Sequence, residues 1–555
     1  MAASMLAALR AMATHCQLAA WSFTDEQAAE GLAVVDGLRD LFLPPPAAAA
    51  SAVPQPHLLQ RLQLLPTELL AVVLSHLDTH DLARLSATCR PLWSDAPTPP
   101  PRLMPLLRPM GLVETELRRR ATARGLRIGS FLPKGALSWV PYLLKRVLRD
   151  AMRREAPLAA GNGFSVFLDA EGRLLTCGSG DPLEARQFLL GHAGWRADDD
   201  PDDPRSIGLP RLVPSMQDMR IVSVAASDWH CLALSSEGEV YSWGDGDGGS
   251  LGHADGGERA VPSRVESLRR IESIAAAPGD IRTSAAVDED GRLFTWGQAI
   301  TPYDQTRPSG LGYAQTESQL TPKCVETLSV DRVVGVALGY ACTLVVTDAG
   351  AVFSFGDGQS GALGHGSLEA EVLPRRIEAL AQNGCRFVAV AAGGCHTLAL
   401  TEEGDLYGWG DWISNGHGRG EPVPHLVAAF VGQRVKHAYA GALFSCAVTE
   451  KGELYTWGDG NYGHLGHGDE KYQLTPKRVE GLNRVKVAAT AMCDTHTLVT
   501  DEEGEVWAFG DRMAAGLGDP EVDPNEDVKD IVWRPTPIFA LRVRAPKSPD
   551  MLPFR

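Results

Sequence analysis

The sequence predicts a mainly β protein: a seven-bladed β-propeller over residues 157–545, preceded by a small α-helical module at 61–95. Three observations carry this. A pair of glycines six residues apart recurs seven times along the chain. Between the two glycines, apolar and polar side chains alternate with the period of a strand. Upstream, over 64–93, leucines fall at helical spacing instead.

The repeat is clearest from Val222, in VSVAASDWHCLALSSEGEVYSWGDGDGGSLGH. An apolar strand leads to a polar turn with Gly, a second strand follows, and an aromatic–Gly pair closes it. The turn glycines are Gly172, Gly238, Gly291, Gly350, Gly404, Gly452 and Gly504. Their closing partners are Gly178, Gly244, Gly297, Gly356, Gly410, Gly458 and Gly510. The first Gly supplies the positive φ of a tight hairpin. Alternation in Glu239-Val240-Tyr241-Ser242-Trp243 lets one face be buried and the other wet. A further Gly turn is expected at Gly252, Gly364, Gly466 and Gly518. In the third repeat it falls at Gly312, and in the fifth within Asn415-Gly416-His417-Gly418. Strands led by Pro262, Pro322, Pro374 and Pro476 complete the units. A proline at a strand start or sheet edge loses no ladder hydrogen bond. Roughly four short strands per unit make a propeller blade, and seven blades in a ring bury each other's faces.

These residues resemble the repeats of the regulator of chromosome condensation family. The shared pattern is a strand with His-Thr-Leu, an acidic–Gly turn, Trp-Gly, then Leu-Gly-His-Gly. The first repeat departs, with Cys177-Gly178 for Trp-Gly and an acidic insertion at 197–204.

Within 64–93, Pro66 suits a first helical turn, where its missing N–H costs nothing. Leu69, Leu70, Val73, Leu74 and Leu77 form one stripe. Asp78 or Thr79 can cap a second helix bearing Leu82, Leu85 and Cys89. Such a hairpin has more apolar surface than it can bury alone and needs a partner surface. It resembles the F-box from Leu65 to Arg90. That resemblance implies docking to a Skp-type adaptor of a cullin ubiquitin ligase through Leu65, Pro66, Leu69, Leu74, Leu77, Leu82 and Leu85. The proline-rich stretch 95–101 departs from the family, which usually continues into a further helix. The simpler reading is a helical hairpin packed on the propeller. An Ala/Pro-rich extension occupies 1–60, a basic, partly helical linker 96–156 and a tail 546–555. Over 102–154 the linker carries 13 Lys+Arg against three acids. It reads as a solvated amphipathic segment with a helix over 136–155, or alternatively as a nuclear-localisation or nucleic-acid patch.

Charge and composition narrow the partners. Residues 1–155 hold 18 Lys+Arg and 13 Asp+Glu, while the remainder holds 34 and 56 within a net charge of −17. The acidic larger part repels a phosphate backbone, which disfavours nucleic acid. No apolar run is long enough to span a membrane. The Ala-rich start lacks the compact core of a secretory signal and gives a transit peptide little support. None of the ten cysteines forms a C-x-x-C pair. Cys231, Cys342, Cys395 and Cys446 recur among apolar strand residues, as small hydrophobes in a reducing compartment, cytoplasm or nucleus.

No catalytic constellation, metal site or cofactor motif appears, so the reading is non-catalytic. His230, His396 and His496 recur at one repeat position, as structural hydrogen-bonders. Asp245, Asp357, Asp411, Asp459 and Asp511 follow aromatic–Gly pairs, and equivalent repeat positions lie on a circle. They cap their own turns, or form an acidic face that attracts a basic protein segment. Trp229, Tyr340, Trp412 and Tyr462 sit at turns as candidate contact anchors. The expected function is a substrate-recognition adaptor: the F-box-like module engages Skp-type adaptor and cullin, and the propeller takes a protein substrate. The alternatives are a guanine-nucleotide exchange factor or a scaffold without a ligase. A light-sensing role is weak, because Asp228-Trp229-His230 is the nearest match to a photoreceptor tryptophan motif.

Overall fold

The computed structural model describes residues 156–178, 189–192, 207–302, 304, 306–314, 317–382, 384–512, 514–517 and 531–543. The chain divides into two compact units, Met1–Met152 and Arg153–Arg555. The described residues all belong to the second. Among them, no helix is long and apolar enough to cross a membrane.

The second unit is a seven-bladed propeller. Seven four-stranded antiparallel sheets span 158–212, 221–264, 271–324, 333–376, 387–426, 435–478 and 487–542. Each is a plain meander. In blade 2 the four strands are Ile221–Ala226, His230–Ser235, Val240–Gly244 and Arg259–Arg264, paired in that order. First strands of successive blades contact one another around the axis, and the first strand of blade 7 reaches that of blade 1, which closes the ring.

The repeated glycines do the expected work. Gly238 turns the hairpin between second and third strands at φ +81°. Gly458, closing the third strand of blade 6, has φ +116°, and a Cβ there would lie 2.4 Å from Phe444 Cα. The later turn glycine presses on the aromatic of the next blade. Gly252 meets Trp296, Gly312 meets Phe355, Gly364 meets Trp409, Gly416 meets Trp457 and Gly466 meets Phe509. In blade 7 this place belongs to Gly516, against Cys177; Gly518 lies outside the described residues.

The third strands are not wet on one face. Val240–Gly244 is buried throughout, because each blade is sandwiched between two neighbours. The alternation separates large apolar residues from hydroxyls that are buried and satisfied. Ser242 Oγ donates to the Leu251 carbonyl at 2.8 Å, Thr295 to Leu311 at 2.6 Å, and Thr456 to Leu465 at 2.7 Å. The repeated prolines stand fourth in their strands rather than first. Pro262 lies in Arg259–Arg264, opposite a register shift between Ser242 and Gly244. An edge strand with a bulge tolerates the missing donor. Of the four recurrent cysteines, Cys231, Cys342 and Cys446 are buried strand residues. Cys395 precedes its strand and is half-buried.

One aromatic anchors most blade joints. Trp243, Trp296, Trp409 and Trp457 are fully buried and donate Nε1–H to Leu189, Ser250, Ala362 and Ser414 carbonyls of the preceding blade, at 2.7–2.8 Å. Second-strand hydroxyls share three of these acceptors: Ser284 on Ser250, Thr397 on Ala362 and Ser445 on Ser414. The recurrent histidines complete the relay. Since each serine hydroxyl is spent on a carbonyl, the histidine Nε2–H is the donor to Ser Oγ. His230 reaches Ser284 at 2.7 Å, His396 reaches Ser445 at 2.6 Å, and His496 reaches Ser165 at 2.7 Å across the blade 7–blade 1 closure. Burial holds all three imidazoles neutral, with pKa lowered to about 3.

Candidate functional site

In an antiparallel meander, the first–second and third–fourth connections leave the sheet at the same end. Every blade therefore presents both loops on one face of the ring. The two loops are tied together. The amide of Asp245 donates to the Trp229 carbonyl at 2.8 Å, Asp357 to Ala341 at 2.8 Å, Asp411 to Cys395 at 2.9 Å, Asp459 to Leu443 at 2.9 Å and Asp511 to Thr495 at 3.0 Å. All nine residues proposed for partner contact stand on this loop face.

The carboxylates turn back on their own loops. Asp245, Asp357, Asp411 and Asp459 each accept the amide two residues on, from Asp247, Gln359, Ile413 and Asn461 at 2.8–3.1 Å. Asp511 accepts the amide of Ala514 at 2.9 Å. Two are also ion-paired: Arg282 reaches Asp245 at 3.0 Å, and Arg307 reaches Asp357 at 2.5 Å. A turn cap uses one oxygen and leaves the charge in place, while arginines offset the charges of Asp245 and Asp357.

The four aromatics divide. Trp412 and Tyr462 are about half exposed, at 48% and 51%. Trp229 is half-buried under the Arg282 guanidinium, 4.4 Å from its ring. Tyr340 is half-buried near the axis. Ideal Cβ atoms on Gly279 and Gly394 would meet its ring at 2.6 and 3.3 Å, and its hydroxyl donates to Asp494 Oδ2 at 3.2 Å. Tyr340 on blade 4 thereby spans to blade 7. Burial, then the Asp494 and Asp228 charges, raises the tyrosine pKa. Burial also raises that of Asp494, and Asp280 adds to it.

Sequence reasoning passed over Asp494, Arg282 and the half-exposed Tyr472, at 50%. The first two matter through partners on other blades, which spacing along the chain does not show. Tyr472 had a usable signal, an aromatic in a loop of Asp469-Glu470-Lys471. Among the described residues, no group of three or more His, Cys, Asp or Glu is placed to hold a metal. Leu65, Pro66, Leu69, Leu74, Leu77, Leu82 and Leu85 lie outside the described residues, as does the basic segment 102–154.

A closed ring of seven four-stranded blades defines a repeat-built β-propeller. Its repeats match the regulator of chromosome condensation (RCC1) repeat at 237–279, 349–400 and 451–500. A second description of that repeat matches at 221–249, 387–419 and 435–463. Ahead of them, residues 62–93 match the F-box-like family. The chain thus carries an F-box-like domain followed by RCC1 repeats that form a seven-bladed propeller.

Among relatives, E3 ubiquitin-protein ligase HERC2 of Homo sapiens is 40% identical over 373 residues, 66% of this chain but 6% of HERC2. Ultraviolet-B receptor UVR8 of Arabidopsis thaliana is 34% identical over 280 residues, 49% of this chain and 61% of the receptor. The chain therefore spans less than two thirds of either relative. Prp20p of Saccharomyces cerevisiae superposes with a TM-score of 0.55 at 24% identity, covering 70% of this chain and 88% of Prp20p. Human WBSCR16 gives 0.51 at 20%, covering 62% and 86%. These two likenesses show the fold.

Proposed function

We propose that the protein is the substrate-recognition subunit of a cullin-based ubiquitin ligase. The observation that carries this is the pairing on one chain of an F-box-like domain at 62–93 with an RCC1-repeat propeller. The F-box-like domain docks a Skp-type adaptor, and through it a cullin, by way of Leu65, Pro66, Leu69, Leu74, Leu77, Leu82 and Leu85. The propeller holds a protein substrate on its loop face, and ubiquitin transfer belongs to the bound partners. The 40% identity over 373 residues of this chain to a stretch of a ubiquitin ligase supports the same setting. The compartment we propose is cytoplasm or nucleus, a reducing setting in which cysteines serve as small buried hydrophobes.

The test is a pull-down on immobilised Skp-type adaptor. The intact chain is compared with a Leu65→Ala, Pro66→Ala, Leu69→Ala triple variant. Capture of the intact chain and loss in the variant, with an unchanged β-rich circular dichroism spectrum, is the expected outcome. An intact chain that does not bind removes the ligase reading.

A further inference from the structure

We infer that the loop face over blades 5 and 6 docks an extended protein segment in which Lys or Arg alternates with large apolar side chains. This rests on the reading of the propeller as the substrate-binding module and names where, and for what chemistry. Among the described residues, the exposed aromatic side chains are Trp412, Tyr462 and Tyr472. All three lie in third–fourth connections of these two adjacent blades, on one face. Leu443, 39% exposed, lies in the first–second connection of blade 6 between them. Exposed aromatics on a rigid surface are the residues that anchor protein partners.

The four side chains form one sector, held by hydrogen bonds from beneath. The hydroxyl of Ser414, two residues beyond Trp412, donates to the Leu443 carbonyl. That carbonyl also accepts the Asp459 amide at 2.9 Å. Asp459 Oδ2 accepts from Asn461 Nδ2 at 3.3 Å, and the same amide group donates to the Tyr472 hydroxyl at 3.1 Å. Tyr462 follows Asn461 in the chain. Its ring centroid is 6.1 Å from buried His464, which packs on Phe444 at 4.1 Å. A platform fixed in this way loses little conformational freedom when it binds.

The charge around it selects the partner. Asp411 adjoins Trp412 in the chain, and Asp469 and Glu470 share the connection that bears Tyr462 and Tyr472, opposed by Lys471, while Arg419 is paired with Glu421 at 3.1 Å. An acidic rim around an apolar centre favours a cationic segment and repels an anionic one. An incoming arginine can also stack on Trp412. The molecule already holds one such contact on this face, Arg282 over Trp229 at 4.4 Å.

The test uses the full chain and three fluorescein-labelled synthetic peptides of equal length: alternating Lys–Leu, Lys–Gly and Glu–Leu. Binding is read by fluorescence anisotropy at physiological salt. The Lys–Leu peptide binds, and the other two bind roughly tenfold or more weakly. A Trp412→Ala, Tyr462→Ala, Tyr472→Ala variant loses roughly tenfold in affinity or more. A charge variant, Asp411→Asn, Asp469→Asn, Glu470→Gln, loses affinity too and flattens its salt dependence. Val330→Ala with Val431→Ala, exposed on the opposite face, binds as the parent does. No binding of Lys–Leu, equal binding of Lys–Gly, or an unaffected aromatic variant would overturn the inference. So would self-association in sedimentation velocity that the aromatic variant abolishes, which would give the sector to a second copy. Skp-type adaptor binding by the same variants is measured in parallel. It stays intact if only the docking sector is wrong, and it alone fails if only the ligase reading is wrong.

Discussion

His396 and Ser445 show how single residues lock this ring. The imidazole belongs to blade 5 and the hydroxyl to blade 6, and the hydroxyl passes its own proton to the Ser414 carbonyl. Ser445→Ala leaves the Nε2–H of a fully buried ring without an acceptor. A loss of about 1–3 kcal/mol is expected in denaturant unfolding. The histidines also set a pH dependence. In the unfolded chain they titrate near 6.5, while burial lowers His230, His396 and His496 to about 3 in the fold. Below pH 6.5 the unfolded chain binds protons that the folded chain refuses. Their contribution is complete above pH 6.5 and is lost progressively as pH falls toward 3. Each histidine contributes on the order of 1 kcal/mol per pH unit within that window. Melting temperatures measured from pH 8 to 4 should fall along this course, and a variant with all three replaced by Gln should fall less steeply.

At the scale of strands and turns, two kinds of glycine are separable. Gly458 combines φ +116° with a backbone neighbour 2.4 Å from its missing Cβ, whereas Gly384, at φ +66°, has nothing within 4 Å. Gly384→Ala should cost about 1–2 kcal/mol, the price of a left-handed backbone alone. Gly458→Ala should cost considerably more, since strands of blade 6 must also part. Trp457→Ala, at the centre of the blade 5–blade 6 joint, should cost about 3–5 kcal/mol. Thermal unfolding of the purified variants checks all three. Such glycines and tryptophans make the blades readable from sequence, because each does a job that few other residues can do. Gly516 was less visible than Gly518, because its role is set by contact with Cys177 of blade 1 and not by local spacing. The buried hydroxyl face of the third strands was misread as wet for a related reason. Alternation reports which side chains differ, not whether a neighbouring blade covers them. On the loop face, the turn aspartates were legible from their place after the aromatic–Gly pair. Tyr340 was legible only as a turn aromatic, and its bond to Asp494 depends on closing the ring.

The whole molecule carries an F-box-like domain and an RCC1-repeat propeller on one chain, and in the function we propose the first recruits and the second selects. Four blade joints repeat one pattern, a tryptophan and a hydroxyl or thiol set against one carbonyl of the preceding blade, so core substitutions there act on the ring's stability. The exposed aromatic side chains of the loop face can vary without touching those joints, whose acceptors are backbone carbonyls of the same loops. This separation lets one propeller design serve different partners. The proposed link to a cullin ligase is tested by assembly. Purified chain, Skp-type adaptor and cullin are mixed and resolved by size-exclusion chromatography with light scattering. A single ternary peak that contains the intact chain is expected, and it is lost with the Leu65→Ala, Pro66→Ala, Leu69→Ala variant. An intact, folded chain that elutes apart from an adaptor–cullin pair would contradict it.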